Sequence, residues 1–360
     1  MTGPRRLLLV GLMAILAILV VKAQLGTIWA VPRAGVDLEA PLRAADRWLA
    51  GDAPYNAVGF TAGPGAVQPF LYPPYTLPFF AVLSVLPRQI VLYGAVLLGL
   101  AISIAACRRL RIPWPWVPLV LLWPPFTEGI LAANVGVPIF VAFIFLVYRP
   151  GGSPWVAAPR DVSAPPESPA MIGGLATFIG AIKVSQPHSW IFALHHRRRA
   201  ALLGAAVLVM IAASTLLLTG TDRWFEWAAQ LKRGSDTTWD LGGFALPRFL
   251  PPGVGYAVAI LCLVAAWFVP RRDPGPWLGV LSVVGTVSLH SFGLLFLLPA
   301  MLVIRRELAI IAAMFVATYS YEGSWAATVI VAGALTVTAF APDRWRPMAA
   351  EAFRTTPEPG

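Results

Sequence analysis

Apolar residues run in long blocks along this chain, and short polar or arginine-marked junctions separate them. After Arg5 and Arg6 an apolar run covers residues 7–30. Later runs cover 73–86, 90–107, 116–126, 135–148, 171–194, 200–219, 255–269, 277–289, 292–304, 308–319 and 325–340. Several approach or exceed the roughly 20 residues that cross a bilayer as a helix. The runs are continuous, not alternating, which excludes the strands of a membrane barrel and leaves a helical bundle as the structure that satisfies its backbone in lipid. The pattern predicts an all-α, polytopic membrane protein with about 10 crossings. The stretch 114–126 is short and interrupted by proline, so re-entrant or broken helices are expected there.

The polar stretches divide this body. Residues 31–71 carry Arg33, Asp37, Glu39, Arg43, Asp46, Arg47 and Asp52, the most polar part of the first half. Within 38–50, Leu38, Leu42, Ala45 and Leu49 recur at three- and four-residue spacings. That predicts an amphipathic helix lying on the membrane surface, ended by Gly51 at a position that favours glycine. Residues 150–170 hold proline, glycine, serine and charge and read as a flexible cytoplasmic linker. Residues 220–252 form a second outer loop, and 350–360 a disordered tail. The rest, 1–349, reads as one membrane domain. No internal repeat is evident.

Composition sharpens this reading. Apolar residues make up 58% of the 360 and charged residues 12%, against about 45–50% and about 25% in soluble domains. A soluble fold and a disordered chain are both excluded. The net charge of +10 comes largely from arginine, with lysine at Lys22, Lys183 and Lys232 alone. Arginines gather at the ends of apolar runs, at 108–111, 149, 197–199, 271–272, 305–306 and 344–346. That is the mark of cytoplasmic loops, not of a nucleic-acid partner. It places the N-terminus inside and puts the 31–71 loop, the 220–252 loop and the turns at His290 and Glu322 outside. Cys107 and Cys262 lie in apolar runs and make neither a disulfide framework nor a metal site. No cofactor is expected. Carboxylates brought together in space leave a divalent ion open.

Asp37 follows the first run closely, just outside the membrane. Gly51 to Tyr55 follows, then Tyr72-Pro73-Pro74. Further on come Gly173-Gly174 and Lys183, Pro187 with the basic run to Arg199, and Thr286 to His290 followed by Pro299. In this order the motifs resemble glycosyltransferase family 87. That family belongs to the GT-C group and includes the mycobacterial α-1,2-mannosyltransferases of actinobacteria. Family members often have Gly-Gln where this chain has Ala133-Asn134. The resemblance implies a GT-C fold in the cytoplasmic membrane. It also implies inverting transfer of a sugar, mannose first and arabinofuranose second, from a polyprenyl-phosphate donor to a glycolipid or glycan acceptor on the outer face.

The chemistry names the candidates. A phosphodiester leaves as a stable anion, so the reaction needs a base for the acceptor hydroxyl and cations for the phosphate. Asp37 is the expected base; its alternative role is to cap the surface helix. His290 is a second catalytic candidate, or a hydrogen-bonded packing histidine. Lys183 and Arg248 are expected at the donor phosphate, although a lysine stem also reaches an interface by snorkelling. Tyr72 and Glu39 are expected along the substrate groove. His195 and His196 read as inner-face charge. The aromatics of 220–252 suit a headgroup interface, the general case, or a sugar cleft. A transporter or flippase of envelope glycolipids is the alternative function, with broken helices and Lys183 lining its path.

Overall fold

The computed structural model describes Leu25 and residues 34–55, 70–148, 168–182, 187–236, 243–270, 274–304 and 321–340. All of the first apolar run but Leu25, residues 150–167 of the linker, Lys183 and the tail lie outside the described residues. Every named element is helical, and the one strand-like pairing among the described residues is a parallel bridge between Gly243 and Leu289.

Helix α1 (Val36–Leu49) is the expected amphipathic helix. It buries Pro41, Leu42, Ala44 and Ala45 and turns Arg43 and Asp46 outward, while Leu49, near its end, is exposed. Gly35 starts it in the left-handed region at φ 76°. A side chain there would meet Leu92 at 2.8 Å, so both the backbone and the space require glycine. The stop is as predicted: Gly51 has φ 85°, with its amide donating to Trp48 O and that of Asp52 to Arg47 O.

Two helices are long and apolar enough to cross a bilayer, α3 (Arg88–Arg109) and α9 (Arg198–Thr219). In their most apolar windows only 22% and 17% of residues are buried in the protein. A core helix of a soluble fold would hide most of that surface, so these exposed apolar faces suggest association with a membrane. Seven further apolar helices have 10–17 residues, too short to be counted as crossings by length. The described residues thus give two clear spans where the periodicity predicts about 10. Proline and glycine account for much of the difference. The 73–86 run becomes a 3₁₀ turn at Pro74–Thr76 and α2 (Leu77–Ser84), and 116–126 breaks into α4 (Val117–Leu121) and the start of α5 (Pro124–Leu131). The 171–194 run divides into α7 (Pro169–Ile182) and α8 (His188–His196).

Helices α5, α6 (Gly136–Val147), α12 (Pro274–Val284), the 3₁₀ turn Ser291–Leu297 and α13 (Leu298–Ile304) share one hydrophobic core. Phe126, Phe140, Phe143 and Phe296 join in this core with ring centroids 5.0–6.4 Å apart. Helices α7 and α9 cross through Gly173 and Gly204. A Cβ on Gly173 would sit 2.1 Å from Ala200 O, and one on Gly204 2.1 Å from Gly173 O, so backbones meet as small residues in lipid allow. Gly174, its motif neighbour, faces open space. His195 and His196 place ring nitrogens against the carbonyl oxygens of Trp267 and Val269, at the end of α11 (Pro252–Phe268). Helix α10 (Thr221–Asp236) follows α9, and α14 is Tyr321–Phe340.

Candidate active site

The start of α1 hangs on the end of α5. Gly35 N donates to Leu131 O at 2.7 Å and Asp37 N to Ala132 O at 3.0 Å. Asp37 is therefore the second residue of the helix, and the cap position belongs to Gly35, which has no side-chain cap. The Asp37 carboxylate points instead to the α5–α6 turn, where Asn134 Nδ2 donates to its Oδ2 at 2.5 Å. The other end of that amide is used as well, since Gly136 N donates to Asn134 Oδ1 at 2.7 Å. An amide that accepts at one end and donates at the other has one orientation. Ala133, next to it, is held at φ 52°, a left-handed conformation that glycine adopts freely.

A second carboxylate lies close by. Glu128 on α5 accepts a hydrogen bond from Ser291 Oγ. Burial pushes the Glu128 carboxyl above its usual range, against the Ser291 hydrogen bond that favours the charged form, and the charge of Asp37 pushes it further. Asp37 is also pushed up by burial, with the Asn134 hydrogen bond pulling the other way. Two nearby carboxyls of this kind do not ionise together easily.

His290 stands beside Ser291. Its ring lies 5.6 Å from that of Phe292 at an interplanar angle of 27°. Phe292 in turn packs on Gly136, where a Cβ would meet its ring at 2.6 Å. On the other side runs the backbone of Gly243, at φ 59°. A Cβ there would fall 3.0 Å from His290 Nδ1 and 2.0 Å from Leu289 O. Arg248 Nη1 donates to Gly243 O, and Phe244 N to Leu289 O. The fold thus draws Asp37, Asn134, Glu128, Ser291, His290 and Arg248 into one neighbourhood from four separate stretches of sequence.

Tyr72 adjoins the same place. Burial raises its phenol, and the charge of Asp37 raises it further. Its segment is a strap tied from several sides. Tyr55 OH donates to Tyr72 O at 2.9 Å, Trp227 Nε1 to Leu71 O at 3.0 Å and Tyr75 OH to Ala181 O at 2.6 Å. Glu39 looks elsewhere. Its oxygens lie 2.9 Å from Arg43 and 3.5 Å from Arg88, and Arg88 reaches Asp46 at 2.6 Å. That is an ion-pair network on the outer side of α1. Lys183 falls outside the described residues.

Sequence reasoning missed Glu128 and Ser291, and met Asn134 only as a departure from a motif. Glu128 carried a signal of its own: it is the lone charge between Arg111 and Arg149, and a carboxylate in so apolar a stretch needs a reason. Among the described residues no three His, Cys, Asp or Glu side chains gather to hold a metal ion.

The sequence model of glycosyltransferase family 87 matches residues 70–250. This covers the Tyr72 strap, Glu128, Asn134, α10 and Arg248, with Asp37 before it and His290 after it. No curated protein and no solved structure matches the chain.

Proposed function

The chain belongs to glycosyltransferase family 87, and from that premise we propose that it moves a sugar from a polyprenyl phosphate to a glycolipid or glycan acceptor, with Asp37 as the base. The sugar is mannose or, second, arabinofuranose. The observation that carries this reading is the setting of Asp37: a part-buried carboxylate, oriented by Asn134, whose partner carboxyl Glu128 can stay protonated while Asp37 is charged. In the proposed step Asp37 takes the proton of the acceptor hydroxyl. The acceptor oxygen forms a bond to the anomeric carbon as that carbon's bond to the phosphate oxygen breaks. The electron pair leaves on the phosphate, and the anomeric configuration inverts. Positive charge must meet that phosphate. Arg248, Lys183 and His290 are assigned to it, Lys183 on sequence alone.

The same reading sets the protein in the cytoplasmic membrane with about 10 crossings, its N-terminus inside and Asp37 at the outer face. The arginine distribution supports that orientation, and the exposed apolar faces of α3 and α9 support contact with lipid. The test is transfer by the purified protein from a radiolabelled polyprenyl-phosphate mannose to a membrane-lipid extract. Label moving into a new glycolipid is the expected result. No transfer from polyprenyl-phosphate mannose or arabinofuranose would overturn the donor assignment.

A further inference from the structure

Helix α10 has two unlike faces. Phe225, Ala228, Ala229 and Lys232 are exposed. Arg223, Glu226, Trp227 and Gln230 recur at three- and four-residue spacings on the opposite side, with Trp224 at its flank. That side looks onto the Tyr72 strap, since Trp227 Nε1 reaches Leu71 O. Tyr75 stacks near it, its ring 6.0 Å from that of Trp224. Trp224 and Trp227 meet edge to face, 6.0 Å apart at 89°. An aromatic corner therefore stands between α10 and the strap that adjoins Asp37.

Three buried polar atoms of α10 have no partner: Glu226 Oε2 and Gln230 Oε1 on this face and Trp224 Nε1 at its flank. Gln230 is 1% exposed. Glu226 uses its other oxygen, which accepts from Arg223 Nη1 at 2.6 Å. Buried polar atoms without partners are rare in folded proteins and destabilising. Two acceptors on one side of the helix and a donor at its flank, beside flat aromatic rings, make a pattern.

We propose that this inward face of α10 binds the neutral sugar ring of a substrate, with Trp224, Glu226 and Gln230 meeting its hydroxyl groups. The chemistry selects the class. Sugar hydroxyls both donate and accept, so one ring can satisfy an N–H and two acceptors at once. Its C–H faces cover indole and phenol rings. A phosphate does not fit, because it offers no proton to Glu226 or Gln230 and would be repelled by the carboxylate. The charged end of the donor therefore lies elsewhere, and the ring here is the acceptor's sugar or the sugar in transit. Assigning it to a transferase substrate rests on the function proposed above; the binding of a sugar ring does not.

The test uses the full-length protein in detergent, with Asp37→Asn included to hold chemistry off. Methyl α-mannopyranoside and methyl arabinofuranoside are titrated against intrinsic tryptophan fluorescence. Saturable quenching by one of them is expected in wild type and Asp37→Asn. It should weaken about tenfold or more in Gln230→Leu and Trp224→Phe, the loss of one buried hydrogen bond each. Gln230→Leu keeps shape and removes an unpartnered atom, so its melting temperature should equal or exceed wild type. Trp224→Phe also loses ring packing on Tyr75 and Trp227, so its binding is compared with its melting temperature measured alongside. Equal affinity in both variants, or no saturable binding by wild type, would overturn the proposal. In transfer assays a raised acceptor KM in Gln230→Leu assigns the acceptor's ring, and a raised donor KM the transferred one; neither rising would also overturn it. Should wild type transfer nothing yet bind glycosides through Gln230, the proposed reaction fails and the sugar site stands.

Discussion

Asn134 holds Asp37 by a hydrogen bond of 2.5 Å from its amide nitrogen, and its own amide oxygen is fixed by the backbone N–H of Gly136. The carboxylate at the start of α1 is thereby oriented from the start of α6, 97 residues away in sequence. That hydrogen bond favours the charged form of Asp37, and burial opposes it. Asn134→Ala removes the favourable part alone. Asp37 should then hold its proton to higher pH, and the acid limb of kcat/KM should move upward. Asn134→Gln, with the same groups on a longer stem, should move it less. A variant with lower activity at every pH and an unmoved acid limb would make Asn134 a matter of packing only.

Asp37→Asn keeps the shape and an acceptor oxygen but removes the base. Transfer should fall about 10²–10⁴-fold, the usual loss for a general base. Stability should move the other way. A carboxyl whose pKa is raised on folding stabilises the fold when protonated, below the unfolded value near 3.8, and loses that contribution as pH rises through the folded value. The variant carries no such loss. Its melting temperature should therefore exceed wild type at neutral pH, with the gap closing in acid. Full activity in Asp37→Asn would remove Asp37 from the reaction.

Part of the candidate site could be read from the sequence, for physical reasons. Asp37 stood out because a carboxylate beside a membrane run is exposed to few other uses. The amphipathic spacing gave α1 to within about two residues, the ordinary uncertainty of helix ends, and Gly51 gave its stop. Glu39 carried the same sequence signal as Asp37, yet it faces Arg43 and Arg88. Two residues along a helix turn a side chain about 200° around the axis, and only packing decides which side meets the core. Glu128, Asn134 and Ser291 act through long-range contacts that no local pattern encodes. The described residues give two clear spans and leave the count of crossings open, because proline cuts several apolar runs into short helices and hydropathy registers burial in protein and in lipid alike.

Ala133 tests the backbone of the same turn. Its φ of 52° places a Cβ where L residues are disfavoured by about 1–2 kcal/mol. Ala133→Gly relieves that strain, offset in part by the greater freedom of glycine in the unfolded chain. The variant should melt at the same temperature or higher and retain transfer, since Asn134 keeps its place. Ala133→Val, branched at Cβ, should destabilise and should reduce transfer through displacement of Asn134. A Val variant as stable and active as wild type would show that the turn is not constrained.

Orientation is open to direct labelling. Both native cysteines are buried, so a background of low reactivity is expected. Single cysteines replacing Asp52, just after α1, and Ser235, at the end of α10, should react with a membrane-impermeant thiol reagent in intact cells. One replacing Ser163 should react only after the membrane is opened. The arginine-rich junctions set this order. Labelling of the Ser163 position in sealed cells, with the Asp52 position protected, would invert the topology and move Asp37 to the cytoplasmic side.

Glu128 offers the sharpest separation of roles. It accepts from Ser291, and burial together with the charge of Asp37 holds its carboxyl protonated above the usual range. If its working form is the neutral acid, Glu128→Gln is close to a replica: an amide oxygen still accepts from Ser291 and no charge is present at any pH. Transfer near the wild-type optimum should then stay within about tenfold, about 1.4 kcal/mol in the barrier. The pH profile should change more than the rate. In wild type, rising pH first ionises Asp37, which activates the site. It then ionises Glu128, which sets a second negative charge beside the departing phosphate, so kcat/KM should pass through a maximum. In Glu128→Gln the descending limb due to Glu128 should vanish while the ascending limb remains. Glu128→Ala, which leaves Ser291 without its partner, should be less stable than Glu128→Gln. A folded Glu128→Gln protein that transfers nothing at any pH would mean that Glu128 itself carries a proton in the reaction, and the division of labour between the two carboxyls would have to be reversed or shared.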